Sequence, residues 1–204
     1  MRRQALAALD RLREGNHRFA TGARRAVLAE PGRDPTEGQE PFAIILGCSD
    51  SRVPVEIIFD QGPGDLFVIR VAGNIVAPSQ VGSVEFAADR FHSRLVVVMG
   101  HEHCGAVEAT VDHLLSPHDD IHSRNQKAIV DRIKPACEGL MTAELKRDRE
   151  LLVHQAVRAT VRRSAAALRH GSDVIERLID TEGVLVVGAE YSITTGVVDF
   201  FEGA

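Results

Sequence analysis

The sequence has few cysteines and no long apolar run, and both absences limit what the protein can be. Its 204 residues include three cysteines, an odd number that does not suit a disulfide framework and leaves thiols free for metal binding in a reducing compartment. No stretch approaches the roughly 18 consecutive apolar residues of a membrane-spanning helix, and charged residues follow the N-terminus where a secretory signal would be apolar. We therefore expect a cytoplasmic protein with no membrane partner.

An excess of positive charge and the common nucleotide-binding motifs are also missing. The net charge of -5 argues against nucleic acid as the main partner. There is no G-x-x-x-x-G-K-[ST] loop and no G-x-G-x-x-G sequence at the start of a helix, so nucleotide binding has no support. With 44% hydrophobic and 26% charged residues, the chain suits one sizeable domain with a full core.

The N-terminal residues have a pattern of their own. Residues 3–20 carry leucines at helical spacing, and residues 21–40 are rich in glycine, proline and charge. We interpret residues 1–40 as an N-terminal helical arm, with a bend near Gly15 and Asn16. The helix could lie on its own domain or across a partner subunit, and the sequence leaves both packings open.

Short aliphatic runs alternate with helical patterns through residues 41–204, which we interpret as an α/β zinc-binding catalytic domain. The strand-like runs, typical of a parallel sheet buried on both faces, are 42–47, 66–70, 95–99 and 183–188. The helical patterns cover 81–91, 105–115, 125–140, 143–169 and 172–179. A last apolar run at 196–201 suggests a hairpin with the strand before it. The predicted fold class is α/β, with a mainly parallel central sheet, flanking helices and an antiparallel edge strand.

Metal-capable side chains follow two of these strands. Cys48 comes directly after the first strand, and His101 and Cys104 follow the third. Because chemistry in open α/β sheets gathers outside the carboxyl ends of the strands, we expect the three side chains to share one crevice. Two thiolates and one imidazole suit tetrahedral zinc, and three protein ligands leave a fourth position for water. The sequence therefore predicts a catalytic zinc site.

The second cluster contains two histidines, and the choice between them follows from their spacing. His101 and His103 are two residues apart, unlike the histidines of H-E-x-x-H, so only one imidazole can readily reach the same ion. We choose His101, which lies three residues before Cys104. Cys104 would stand at the start of the helix 105–115, where backbone N–H groups and the helix dipole lower the pKa of a thiol.

The joint pattern of the two clusters resembles the β-class carbonic anhydrases. The matching segments are Cys48-x-Asp50-x-Arg52, Pro63-Gly64-Asp65-Leu66-Phe67-Val68-x-Arg70, Ala72-Gly73-Asn74 and His101-x-x-Cys104-Gly105. The resemblance runs from about residue 42 to residue 115. It implies one zinc ion per subunit and reversible hydration of carbon dioxide to bicarbonate and a proton by a zinc-bound hydroxide.

The same resemblance implies roles for three further residues. Asp50 is expected to accept a hydrogen bond from the zinc-bound water, while Arg52 holds the Asp50 carboxylate away from the metal. If this pairing were lost, Asp50 could bind zinc, so we assign it as both a catalytic residue and a conditional metal ligand. Gly105 is expected to bind bicarbonate through its N–H at the helix start. The alternatives are an ordinary salt bridge at Asp50 and Arg52 and a packing requirement at Gly105.

Family resemblance also implies a homodimer or homotetramer, and it leaves two other functions open. One is hydrolysis of carbon disulfide or carbonyl sulfide at the same site. The other is a non-catalytic zinc or redox-sensing protein in which Asp50 stays on the metal and Cys137 contributes to sensing. A regulatory bicarbonate pocket found in one subgroup needs a tryptophan where this chain has Ile45, so we expect that pocket to be absent or weak. The sequence does not decide whether Gln61 reaches the substrate.

Overall fold

A five-stranded sheet lies at the centre of the computed structural model, which describes residues 2–24, 36, 38–116 and 123–204. In chain order its strands are β1 (Ala43–Gly47), β2 (Leu66–Arg70), β3 (Leu95–His101), β4 (Leu185–Tyr191) and β5 (Val198–Glu202). The spatial order is β2-β1-β3-β4-β5, with β1 to β4 parallel and β5 antiparallel to β4. This confirms the predicted α/β fold with its antiparallel edge strand.

Helices flank this sheet. Within the described ranges they are α1 (Arg2–Ala20), α2 (Val55–Ile58), α3 (Pro78–Arg90), α4 (Gly105–Leu115), α5 (Arg124–Cys137), α6 (Arg149–His170) and α7 (Asp173–Glu182). Helix α6 begins later than the predicted residue 143, because the side chain of Asp148 accepts a hydrogen bond from the Leu151 N–H and caps the helix there. None of the described helices is both long enough and apolar enough to cross a membrane.

The inner strands are buried on both faces. Every residue of β1 and of β3 is buried, as expected for parallel strands covered by helices on each side. Helices α1 and α2 contribute to the apolar cluster on one face, and α3, α6 and α7 to the cluster on the other. Side chains that could bind a metal or a substrate are therefore confined to the strand ends and the loops that follow them.

Gly15 and Asn16 do not bend the chain, so that prediction is wrong: α1 runs through both residues to Ala20. A Cβ at position 15 would lie 1.9 Å from the Phe59 carbonyl oxygen, so glycine is needed for the close approach of α1. Asn16 is 5% exposed. Its Nδ2 donates to the Gly196 carbonyl at 2.8 Å, and its Oδ1 accepts from the Val198 N–H at 2.8 Å. Both residues therefore dock the helix.

Helix α1 packs on its own chain, which is one of the two packings left open above. Its inner residues, including Leu9 and Leu12, are fully buried in the cluster that covers β1, β3 and β4. Most of the predicted irregular connection, residues 25–35 and 37, lies outside the described residues. The division into an arm at 1–40 and a domain at 41–204 stays a prediction.

Strands β1 and β3 are direct neighbours that run in the same direction. Gly47, the last residue of β1, lies opposite Met99 of β3. The loop after β1 and the loop after β3 therefore leave the sheet at the same edge, side by side. This register brings together the two clusters that are more than fifty residues apart in the sequence.

We predict that Gly15→Ala destabilises the protein. Alanine in a helix is normally more favourable than glycine by about 1 kcal/mol, but here its Cβ would collide with a backbone oxygen of Phe59. Overpacking of this kind costs about 1–3 kcal/mol, so the free energy of unfolding in urea should fall. Glu14→Ala, at an exposed position of the same helix, is the control and should change it by less than about 0.5 kcal/mol. A stabilised Gly15→Ala variant would show that α1 does not pack in this way.

Candidate metal centre

Three buried side chains converge where β1 and β3 end. The exposed fractions are 4% for Cys48, 0% for His101 and 1% for Cys104. The two sulfur atoms are 4.0 Å apart, and the ligand atoms of all three residues lie within 4.8 Å of one another. Tetrahedral zinc with bonds to sulfur of about 2.3 Å would place two sulfur atoms about 3.8 Å apart. The donor set therefore fits a metal ion of this kind without rearrangement of the strands.

The ring of His101 is already oriented for such a role. Its Nδ1 lies 2.8 Å from the Glu102 carbonyl oxygen, so the tautomer that satisfies both groups carries its proton on Nδ1. Nε2 then presents a lone pair, and this buried atom has no hydrogen-bond partner in the described part of the chain. A buried nitrogen without a partner is costly, and a metal ion between it and the two sulfur atoms would satisfy it. His103 lies outside this group, with its side chain 62% exposed.

The two thiols do not ionise alike. A hydrogen bond from Cys104 lowers the pKa of Cys48 to about 4, aided by His101 and by the N–H groups of Asp50 and Gly73, while burial acts in the opposite direction. The pKa of His101 is raised overall: burial acts to lower it, but the nearby Cys48 thiol and its negative charge outweigh burial. Without a metal, the contact between the two thiols therefore favours ionisation of one of them and opposes ionisation of both.

The helix does favour the Cys104 thiolate, as the sequence predicted, but two other contributions oppose it. Cys104 does stand at the N-cap of α4, and the N–H groups of Val107 and Ala106 act to lower its pKa. The hydrogen bond to Cys48 and burial raise it by more. The second proton of the pair is therefore hard to remove until a cation replaces it.

Asp50 and Arg52 form a fork beside the three ligands. Asp50 Oδ1 accepts from the Arg52 N–H at 2.9 Å and from Arg52 Nε at 3.0 Å, and Oδ2 accepts from Arg52 Nη2 at 2.7 Å. These contacts hold the pKa of the Asp50 carboxyl well below its usual range. Oδ2 remains 3.9 Å from His101 Nε2. In this arrangement the carboxylate is paired with Arg52 and directed at the edge of the metal centre.

Two residues outside the predicted metal and catalytic set support Cys48 through main-chain atoms. The Gly73 N–H donates to Cys48 Sγ at 3.4 Å, and Gly73 has a φ of 70° that favours glycine. Arg70 donates from Nε to the Cys48 carbonyl at 2.9 Å and from Nη2 to the Asp50 carbonyl. Because these contacts involve main-chain atoms, no spacing of reactive side chains reveals them. The signal available in the sequence was that Ala72-Gly73-Asn74 is one of the segments that resemble the β-class carbonic anhydrases.

The remaining candidate residues, Gly105, Gln61 and Cys137, have different surroundings. Gly105 is the first residue of α4, and a Cβ there would meet no heavy atom within 4 Å, so tight packing does not explain the glycine. Gln61 bonds to the Phe59 carbonyl and to Arg11 of α1, which is a structural role. Cys137 is buried, which raises the pKa of its thiol to about 11. A thiol of this kind is poorly reactive.

Known proteins share both the fold and this sequence pattern. The family model described as carbonic anhydrase matches residues 43–198. A carbonic anhydrase of Mycolicibacterium smegmatis is 36% identical over 95% of this chain and 92% of its own length. Carbonic anhydrase 2 of Mycobacterium tuberculosis is 35% identical over 94% of this chain and 90% of its own length.

Solved structures show the same similarity. A tetrameric β-carbonic anhydrase of Sordaria macrospora superposes with a TM-score of 0.73 at 25% identity, covering 81% of this chain and 83% of the other. A β-carbonic anhydrase of Aspergillus fumigatus gives a TM-score of 0.74 at 26% identity, covering 83% of this chain and 79% of the other. The similarity therefore extends over most of both chains in sequence and in structure.

Proposed function

Since the chain belongs to the β-class of the carbonic anhydrase family, which hydrates carbon dioxide reversibly, we propose that it does so with one zinc ion held by Cys48, His101 and Cys104. We further propose that Asp50 and Arg52 control the nucleophile. The observation that carries the proposal is the buried group of two sulfur atoms and one unpartnered imidazole nitrogen, with a carboxylate oxygen 3.9 Å from that nitrogen. Such a group is costly to bury unless it binds a cation.

Zinc held by Cys48, His101 and Cys104 would act as a Lewis acid and would lower the pKa of a water molecule from about 16 to about 7, so that a nucleophile would exist at neutral pH. The chain's part is to set the charge and shape of the site. The two sulfur ligands, Cys48 and Cys104, would neutralise much of the charge of such an ion. The groups that orient the attacking oxygen therefore matter more than they would beside three neutral imidazoles.

Asp50 is placed to provide that orientation. Its carboxylate stays ionised because Arg52 bonds to both oxygen atoms, so it can accept a hydrogen bond and direct a lone pair of the attacking oxygen toward carbon dioxide. Arg52 Nη2 also donates to the His103 carbonyl at 3.1 Å, which ties the first loop to the second. Gly105, at the exposed start of α4, would bind bicarbonate through its N–H. The role of Asp50 as a ligand when its pairing with Arg52 is lost remains part of the proposal.

The two alternative functions predict different assay results. Carbon disulfide and carbonyl sulfide are linear molecules that could use the same site, so hydrolysis of either would be measured beside carbon dioxide hydration. A non-catalytic zinc protein has no need for the Arg52 fork on Asp50. Cys137 is a poor candidate for a redox sensor because its thiol is buried and its pKa is raised. Cytoplasmic localisation is also part of the proposal, since three free thiols suit a reducing compartment.

An exposed aromatic cluster supports the proposal of a homo-oligomer. Phe86 is 55% exposed, and its ring centroid lies 6.3 Å from that of Phe67 on the edge strand β2 and 5.5 Å from that of Phe91. An exposed aromatic group beside a strand edge suits contact with a second subunit. The tetrameric relative from Sordaria macrospora shows that this fold can assemble. We therefore propose that a second copy of the chain covers this cluster, in a dimer or a tetramer.

The central prediction concerns the pair Asp50 and Arg52. Stopped-flow hydration of carbon dioxide, with zinc content measured on the same samples, should fall about 10²–10⁴-fold for Asp50→Asn and about 10–100-fold for Arg52→Ala, with zinc retained. The matched control is Arg149→Ala, which breaks a similar two-bond fork to Asp112 on the surface and should leave the rate unchanged. Unchanged rates in both site variants would contradict the proposed roles, and a zinc-loaded wild type without hydration would contradict the function.

The assembly gives a second prediction. Light scattering at micromolar concentration should give the mass of a dimer or a tetramer, and Phe86→Glu should lower it because a charge in an apolar contact is unfavourable. Leu151→Glu, at another exposed apolar residue, serves as the control and should keep the wild-type mass. A monomeric wild type would refute the homo-oligomer. A Phe86→Glu variant with the same mass as the wild type and Leu151→Glu would show that the contact between subunits lies elsewhere.

A further inference from the structure

We propose that Glu102 is a positioning residue of the metal centre. Its side chain anchors the peptide between residues 102 and 103 to the turn between β4 and β5, and the carbonyl of this peptide orients His101. This turn is formed by residues 192–197 and is called the β4–β5 turn below. The inference rests on the zinc site proposed above, and it adds a residue that neither the Cys-x-Asp-x-Arg cluster nor the three ligands contain.

The main chain of Glu102 contacts the metal centre directly. Its carbonyl oxygen accepts the hydrogen bond from His101 Nδ1 at 2.8 Å. That bond sets the tautomer of the ring and directs Nε2 at the two sulfur atoms. The Glu102 N–H donates to the Tyr191 carbonyl at 3.1 Å, continuing the pairing of β3 with β4 by one residue. The orientation of this one residue therefore decides where the ring of His101 points.

The peptide after Glu102 needs support from outside. His103 has a φ of 53°, a left-handed conformation that a residue with a Cβ rarely adopts and that surrounding contacts must maintain. If His103 relaxed, the peptide between residues 102 and 103 would turn and its carbonyl would leave His101. On one side the bond from Arg52 Nη2 to the His103 carbonyl resists this rotation.

The side chain of Glu102 resists this rotation of the peptide between residues 102 and 103 from the other side. Glu102 Oε2 accepts from the Thr194 N–H at 3.3 Å and from the Thr194 hydroxyl at 3.2 Å. The two acceptor contacts join the loop after β3 to the β4–β5 turn, ninety-two residues further along the chain. In both contacts Glu102 Oε2 is the acceptor, so neither requires a change in the protonation of Glu102.

The β4–β5 turn is a firm anchor because it is bonded internally and to α1. The Ser192 N–H donates to the Val197 carbonyl at 2.9 Å, and the Gly196 N–H donates to the Ser192 carbonyl at 2.9 Å. Asn16 then holds the far side of the turn through the Gly196 carbonyl and the Val198 N–H. Restraint of Thr194 is thus transmitted through Glu102 to the carbonyl that orients His101.

This arrangement explains why a carboxylate stands between two residues of the metal-binding loop. Partners that orient a metal-binding histidine typically change metal affinity by about 10–100-fold when they are removed. Glu102 acts through His101 and touches neither the metal nor the substrate, so its effect should appear first in zinc binding. The loss of a solvated carboxylate with no positioning role would leave zinc binding unchanged.

The test compares zinc affinity, measured by competition with a chelator, in full-length zinc-loaded variants. Glu102→Ala should bind zinc about 10–100-fold more weakly than the wild type. Glu102→Gln keeps an acceptor oxygen of the same reach and should restore the affinity to within a few-fold. Thr194→Val removes one donor and keeps the N–H, so it should weaken binding by a smaller factor, about 2–10-fold. Cobalt-loaded Glu102→Ala should also show a shifted absorption spectrum, and Glu102→Gln should not.

Glu108→Ala is the matched control. This carboxylate lies 3.8 Å from His103 Nδ1 and belongs to the same surface but does not bond to the β4–β5 turn, so its removal should leave zinc affinity unchanged. Wild-type zinc affinity in Glu102→Ala, or equal losses in Glu102→Ala and Glu102→Gln, would overturn the inference. If Glu102→Ala does not fold, unchanged affinity in Thr194→Val overturns it instead. A wild type that binds zinc without hydrating carbon dioxide would refute the proposed function and leave this inference standing.

Discussion

Two thiols 4.0 Å apart in a buried crevice are the constraint on which the rest of the structure depends. If both were ionised without a cation, their charges would repel where water screens them little, so ionisation of one thiol opposes ionisation of the other. A divalent cation removes the conflict by taking both sulfur atoms as thiolates. Folding this chain therefore creates a site that could hold a divalent cation.

The fold creates this place with two parallel strands and their loops. Strands β1 and β3 end side by side, and the backbone around them is fixed by contacts that carry no chemistry of their own. Gly73 donates to Cys48, Arg70 holds the carbonyls of Cys48 and Asp50, and Arg52 joins the two loops. Together these contacts fix the main chain around the three candidate ligands, as the proposed orientation of the attacking oxygen by Asp50 would require.

The sequence predicted the strands and the cysteine and histidine clusters because their signals are local. Aliphatic runs bounded by glycine give the β1 and β3 strands, and metal-binding side chains directly after them are visible without a structure. The bend at Gly15 was wrong because a glycine that permits close contact with Phe59 looks in sequence like a glycine that ends a helix. The contribution of the helix to the pKa of Cys104 was predicted, but the opposing contribution of the Cys48 thiol, fifty-six residues away in sequence, was not. The roles of Arg70 and Gly73 were missed for the same reason, since both depend on contacts to main-chain atoms distant in sequence.

X-ray absorption spectroscopy of the zinc-loaded protein tests the central claim most directly, because it counts the atoms bound to the ion. We expect one zinc per chain with two sulfur atoms at about 2.3 Å, one imidazole nitrogen at about 2.0–2.1 Å and one further light atom. Cys137→Ser should give the same spectrum, and Cys104→Ser should lose one sulfur or the metal. Fewer or more than two sulfur atoms around zinc in the wild type, or no zinc bound, would contradict a zinc site formed by Cys48, His101 and Cys104.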